Sequence, residues 1–136
     1  GSPVIDTGGV VGQVTRVFPM TSEVTLLINR DQSIPVLNSR TGARNVAYGE
    51  VMNGVPQIEL RFVPASADVK EGDLLTTSGI DGVYPPGLQV ARISHIERRV
   101  DISFARIHAK PLAEFIGRHV LVLAPTGFKE SKGKGP

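Results

Sequence analysis

The sequence contains no cysteine and no tryptophan, and only two tyrosines and five phenylalanines among 136 residues. Without thiols there is no disulfide, no cysteine nucleophile, no cysteine-based zinc site and no iron–sulfur cluster. The compartment stays open, because a chain that forgoes cross-links suits a reducing cytosol and an oxidising periplasm equally. So few aromatic rings do not build a stacking platform for bases or sugars, which argues against a nucleic-acid or cell-wall glycan module. No apolar run approaches the roughly 18 residues of a membrane-spanning helix, and no signal-peptide pattern opens the chain. Charge of one sign is scarce too. The net +2 resides in residues 126–136, where Lys129, Lys132 and Lys134 stand against Glu130 alone, so the body is balanced. A short Gly/Lys terminus reads as a solvated tail, not as a nucleic-acid footprint.

What is present points to short strands. Fifteen glycines and ten prolines accompany 40% hydrophobic residues, a composition that suits many strands joined by tight turns and needs no metal or disulfide to fold. Apolar and polar positions alternate in residues 10–17, 23–28, 57–62 and 101–107, with β-branched residues dominant. In the third of these Ile58, Leu60 and Phe62 fall on one face. Further strands are expected at 33–38, 45–52, 73–77, 89–96 and 119–123. Asn53-Gly54 predicts a tight hairpin, because both residues tolerate positive φ. Thr41-Gly42 and Glu71-Gly72-Asp73 mark further turns, and Tyr84-Pro85-Pro86-Gly87 a stiff loop. One helical turn is expected around 112–116.

Sliding the chain on itself by 76 residues aligns Gln13-Val14-Thr15-Arg16-Val17 with Gln89-Val90-Ala91-Arg92-Ile93, and Val24, Leu26 and Ile28 with Val100, Ile102 and Phe104. The coincidence of period-2 positions predicts two related β units in tandem. The first unit, residues 3–67, lacks a counterpart to 68–79 and is expected to be incomplete, leaving an open sheet edge. The second covers 68–124, residues 125–136 form a flexible basic tail, and Gly1-Ser2 reads as an expression scar.

Catalytic chemistry finds little to stand on. His95 and His108 read as structural histidines, at the surface or half-buried, with no His, Asp or Glu partner expected at two-residue spacing to share their strand face as a ligand. A serine hydrolase would have to use Ser78 in Thr76-Thr77-Ser78-Gly79, which lacks the glycine two residues earlier that a nucleophile elbow needs. The order His, Asp, Ser is filled only by His95, Asp101 and Ser103 or Ser131. Asp68, Glu71 and Asp73 surround a Gly-containing turn, where carboxylates cap backbone donors or face water. Gly8-Gly9-Val10-Val11-Gly12 has neither a following helix nor a Lys-Ser/Thr, so its glycines serve a turn entering a strand and not a phosphate cradle. Arg98, Arg99, Arg106 and Lys110 read as solvent-facing positions ahead of a binding patch.

Several segments together carry a resemblance. Pro3-Val4-Ile5-Asp6, Gly9-Val10-Val11-Gly12-Gln13-Val14 and Thr21-Ser22-Glu23-Val24-Thr25-Leu26-Leu27-Ile28 open the pattern. The long run from Pro64-Ala65-Ser66-Ala67-Asp68-Val69-Lys70-Glu71-Gly72-Asp73 through Leu74-Leu75-Thr76-Thr77-Ser78-Gly79 to Val83-Tyr84-Pro85-Pro86-Gly87 is its most specific part. Phe104-Ala105-Arg106-Ile107, Lys110-Pro111 and Val120-Leu121-Val122-Leu123 close it. Over about residues 3–124 the chain resembles the periplasmic β region of the rod shape-determining MreC family. The resemblance implies an all-β fold of two small barrels shaped like those of chymotrypsin-like proteases but without their catalytic residues. It implies a non-enzymatic scaffold of the cell-wall elongation complex at the periplasmic face of the bacterial inner membrane, with its single membrane anchor upstream. It further implies binding and activation of penicillin-binding protein 2, self-association, and links through the complex to MreD, RodZ, RodA and MreB. No cofactor, metal or nucleic acid is expected. The alternative is a degenerate serine hydrolase acting on peptidoglycan peptides. Within the scaffold reading, the stiff apolar loop Val83, Tyr84, Pro85 and Pro86, or a free strand edge, is the expected protein-interaction site, since rigid apolar groups lose little entropy on binding; the alternative for the loop is internal packing between the barrels.

Overall fold

The computed structural model describes residues 1–29, 32–98, 103–113 and 121–123. These hold ten strands: β1 Pro3–Ile5, β2 Val10–Val17, β3 Ser22–Leu26, β4 Ser33–Asn38, β5 Arg44–Met52, β6 Val55–Pro64, β7 Leu74–Thr77, β8 Gln89–Glu97, β9 Phe104–Pro111 and β10 Leu121–Val122. The fold is all-β, as expected. The three-residue β1 was too short to show a period, and 114–116 of the expected helical turn lie outside the described residues. Asn53 (φ 54°) and Gly54 (φ 78°) form the turn between β5 and β6, both positive as that hairpin requires.

Six strands close a barrel in the order β4-β5-β6-β9-β8-β7, and four form a small open sheet in the order β10-β1-β2-β3. Every pairing is antiparallel. Alternation fills the barrel: Ile34, Val36, Ile58, Leu60, Leu75, Ile93 and Ile107 point inward, interleaved with the small Ala47, Ala91, Ala105 and Ala109. A barrel of six strands has a narrow interior, which mixed large and small side chains fill without voids. Each buried Ile or Leu contributes about 1.5–3 kcal/mol.

The sheets divide the chain differently from the expected 3–67 and 68–124. Strands on both sides of residue 67 share the barrel, because β6 pairs with β9 and β4 pairs with β7. The unit with an open edge is the four-stranded sheet, in which, among the described residues, β3 pairs with β2 alone. The 76-residue repeat holds at β2 and β8 but not at their partners. Gly12 lies opposite Leu26, whereas Ala91 lies opposite Pro111, so the second hairpin is much longer. Two strands matching the same local pattern are free to take partners at different distances along the chain.

The open sheet sits against the barrel. Val10 and Leu27 enter the barrel's core, with Ile5 and Ile28 packed beside them. Asp6 accepts hydrogen bonds from the N–H groups of Gly8 (2.8 Å) and Gly9 (3.1 Å), shaping the turn into β2. That turn serves the strand entry read from its glycines.

Candidate protein-interaction surface

The expected loop is stiff but turned inward. Tyr84 is 3% exposed and belongs to the barrel core, and Val83 packs against it; only Pro86 is open to solvent. Asp81 accepts hydrogen bonds from the N–H groups of Val83 (3.1 Å) and Tyr84 (3.4 Å). Thr77 donates its hydroxyl to the carbonyl of Pro85 and accepts from the N–H of Leu88 at 2.9 Å. The prolines set the bend, and the apolar content drives Tyr84 under the loop, since burying an aromatic body gains more than displaying it. Sequence shows that a segment is rigid and apolar, not which way it faces.

Burial, and to a smaller degree the negative Asp81, push the Tyr84 phenol up to about 12. An unfolded tyrosine ionises near 10, so the folded state holds the neutral form longer. The stability this contributes is present below about pH 10 and is lost as pH rises through 12. Urea unfolding at pH 7 and pH 11 is expected to show an alkaline loss in the native chain that is reduced in Tyr84→Phe. An equal loss in both would contradict the assignment.

The large apolar side chains that do face solvent gather at strand ends. Val17 (76% exposed), Phe18 and Met20 (92%) crown the β2–β3 turn, and Val51 and Val55 flank the β5–β6 turn. A groove lined by Glu23, Val24, Thr25, Leu26, Ile28 and Asn29 follows the edge strand β3. At the opposite end of β6, Phe62 (74%) and Phe104 (47%) form an edge-to-face pair with centroids 5.9 Å apart.

Alternation places Phe62 on one face with Ile58 and Leu60, and the structure separates it from them. The register shifts between Leu60, opposite Ile107, and Val63, opposite Ala105, so Arg61 and Phe62 together face Arg106. This β-bulge puts Val63 into the core (1% exposed) and turns Phe62 outward. The only sequence signal was the apolar pair Phe62-Val63, which breaks strict alternation. Phe62 adopts φ 61°, a region where bulky residues are rare and which costs about 1–3 kcal/mol.

Charged side chains of both signs occupy the same barrel end. The guanidinium of Arg61 lies 4.0 Å over the Tyr48 ring. Its Nε is 3.0 Å from Glu59, whose carboxylate is also 3.7 Å from Arg106. Arg98 donates to the carbonyls of Ala65 (3.1 Å) and Ala67 (2.9 Å) at the same barrel end. Two exposed guanidiniums thus share the Glu59 carboxylate, and Glu97 lies opposite Arg106 in the β8–β9 ladder. Arg98 is structural, and Arg99 lies outside the described residues.

Two polar clusters are structural elsewhere. Asp73, 7% exposed, accepts hydrogen bonds from Arg40, from Asn38 and from the N–H of Lys70, and thus performs the capping expected of that turn. His108 is 1% exposed, more buried than expected; its Nδ1 lies 2.6 Å from Glu50, reached across β6. Its Nε2 makes no hydrogen bond and is 3.9 Å from Glu97, which is also 3.4 Å from His95. The two imidazoles stack at 5.9 Å. The expectation that these histidines lack carboxylates on their strand face is corrected: Glu97 stands two residues beyond His95 on β8, and Glu50 comes from 58 residues away. Among the described residues no three His, Asp or Glu side chains are arranged as a metal centre.

A hydrolase built on Ser78 and His95 fails on distance. Thr76 pairs with Gln89 on antiparallel strands, so His95 lies six residues farther along β8, roughly 20 Å away at about 3.3 Å per residue. Ser78 continues in the opposite direction. Asp101 lies outside the described residues.

Comparison with known proteins agrees with this architecture. The family profile described as "Rod shape-determining protein MreC, barrel core" matches residues 1–124. The cell shape-determining protein MreC of Haemophilus influenzae is 41% identical over 98% of the chain, which spans 38% of that relative's length. The crystal structure of MreC from Pseudomonas aeruginosa superposes with a TM-score of 0.84 at 40% identity, covering 90% of this chain and 79% of that one. A Helicobacter pylori MreC, solved in complex with penicillin-binding protein 2, shares the fold at a TM-score of 0.59 and 19% identity, over 89% of this chain and 94% of that one. Profile, relatives and barrel topology agree: the chain belongs to the MreC family of rod shape-determining proteins.

Proposed function

We propose that this chain is the periplasmic, non-catalytic part of a scaffold that maintains rod shape by binding penicillin-binding protein 2 and by self-association. The observation that carries the reading is the family match over residues 1–124, supported by relatives named for cell shape and not for a reaction. The Helicobacter pylori relative is solved with that transpeptidase, and the present chain offers solvent-facing apolar groups for such a contact. Activation follows from docking alone. A scaffold that binds one conformation of the enzyme better shifts its population by that difference in affinity. MreD, RodZ, RodA and MreB would be reached through the assembled complex, and an upstream membrane anchor would hold the barrel at the membrane. No helix among the described residues is long and apolar enough to cross a bilayer.

Calorimetric titration of the folded chain into the purified periplasmic part of the transpeptidase is expected to show saturable 1:1 binding in the micromolar range. A folded chain that gives no binding heat at any concentration reached would overturn the reading.

A further inference from the structure

We propose that Asn53 is a modification site: its side-chain amide cyclises onto the Gly54 nitrogen and reopens with water to aspartate and isoaspartate, giving the β5–β6 turn a negative charge as the protein ages. The residues that make the hairpin also make this reaction possible. A tight two-residue turn needs positive φ at both positions, and Asn53 (φ 54°) and Gly54 (φ 78°) supply it. The same pair sets a side-chain amide beside the least hindered backbone nitrogen a chain offers, since glycine has no Cβ. Both residues are exposed, and a Cβ on Gly54 would meet no atom within 4 Å. Neither the Asn53 amide nor the Gly54 N–H is hydrogen-bonded to any described residue.

The step balances with water as its only co-reactant. The Gly54 nitrogen forms a bond to Asn53 Cγ, its proton goes to the departing amide nitrogen, and ammonia leaves behind a five-membered imide. Water then adds at either imide carbonyl. Cleavage at Cγ gives aspartate, and cleavage at the Asn53 main-chain carbonyl gives isoaspartate, with the chain rerouted through the side chain. Ring closure turns the Asn53 Cα–C bond, which disturbs only the end of the hairpin, where Met52 pairs with Val55. The new carboxylate stands between Val51 (64% exposed) and Val55 (51%), so an apolar tip becomes charged. Comparable pairs are locked. In Asp81-Gly82 the glycine N–H donates to the carbonyl of Gly79 (3.2 Å), and Asp81 accepts from the N–H groups of Val83 and Tyr84. In Asn38-Ser39 the asparagine is buried, its amide donates to Asp73 (2.9 Å), and the Ser39 N–H donates to the carbonyl of Leu74 (3.0 Å).

The test is mass-spectrometric peptide mapping after the folded chain has been held for about two weeks at 37 °C and pH 8. Fragmentation is expected to place a gain of one mass unit at Asn53 and none at Asn38 or Asn45. The modified peptide is expected to separate into two products, one of which accepts a methyl group from a protein-isoaspartate methyltransferase. The rate is expected to rise about tenfold from pH 7 to pH 8, because the attacking nitrogen must first lose its proton. A chain that gains the mass at Asn53 only when unfolded in guanidinium chloride shows that the turn locks the residue, and overturns the proposal. An equal gain at Asn38 in the folded chain also overturns it, because the structure would then select no site. A gain at Asn53 without isoaspartate means direct hydrolysis of the amide and removes the cyclic step.

Discussion

Replacing Asp73 with alanine is expected to destabilise the fold by about 3 kcal/mol, read as a fall in the urea midpoint at unchanged slope. The carboxylate gathers four hydrogen bonds: Arg40 Nε at 2.8 Å, Arg40 Nη2 at 3.0 Å, Asn38 Nδ2 at 2.9 Å and the Lys70 N–H at 2.9 Å. Arg40 is partly open to water and keeps Asp68 as a partner, so its loss is modest. The Asn38 amide is buried, at 1% exposure, and a buried donor left without an acceptor costs about 1–3 kcal/mol. The site also lies where β4 meets β7 to close the barrel: Asn38 pairs with Leu75 in that ladder. Damage there opens the seam of the barrel.

The same residue makes the fold acid-sensitive. The Arg40 guanidinium, helped by Asn38 and the Lys70 N–H against the opposing effect of burial, holds the Asp73 carboxyl well below the usual carboxylate range. An unfolded aspartate titrates near 3.9. Stability from this group is therefore present in full above about pH 4 and declines as pH falls below it, because the unfolded chain then takes up a proton that the folded chain resists. Thermal unfolding followed by circular dichroism from pH 7 to pH 2 is expected to show a shallower acid loss in Asp73→Asn than in the native chain. Identical slopes would show that the acid response comes from other carboxylates.

The second large effect is expected at the join between the open sheet and the barrel. A Cβ at Gly8 would lie 2.0 Å from the carbonyl oxygen of Leu112, and one at Gly9 would lie 2.4 Å from that of Gln89. Both obstacles are backbone, and Gln89 is held in the β7–β8 ladder, so no side-chain rotation relieves them. Gly8→Ala and Gly9→Ala are each expected to cost about 2–3 kcal/mol, at the upper end for overpacking. The loss should be uneven. Val10 and Leu27 bring the open sheet into the barrel's core, whereas the barrel's own six strands are closed without that sheet. Hydrogen exchange is expected to speed up in β1, β2 and β3 and to remain slow in β5, β6 and β9. Equal acceleration throughout would mean that sheet and barrel unfold as one unit.

Legibility in the sequence followed the range of the physics. Strands at 10–17, 33–38 and 89–96 were readable because alternation is a property of neighbouring residues, and the Asn53-Gly54 turn because positive φ is a property of two. The family pattern was readable for the same reason, as one long gap-free run. Partner choice was not. The β6–β9 and β4–β7 pairings join residues as far apart as Ile58 and Ala109 or Val36 and Thr77, and nothing local marks them. This is why a repeat suggesting two consecutive units concealed a barrel that draws strands from both sides of residue 67.

The side that a residue faces was the other thing hidden. Tyr84, offered as a contact residue, packs in the core; Phe62, on the face of Ile58 and Leu60 by alternation, stands in solvent; His108, on the outer face of β9, is buried by reaching Glu50 across an intervening strand. Inside and outside are defined only once the barrel closes, and at Phe62 one extra residue in the strand exchanges them. By itself the sequence determined an all-β chain without thiol chemistry, where most of its strands and turns lie, and the family it resembles, because these depend on composition and near neighbours. Tertiary structure alone decided which strands meet, which unit closes and which aromatic rings a partner can touch, because those depend on burial and register between segments far apart in the chain.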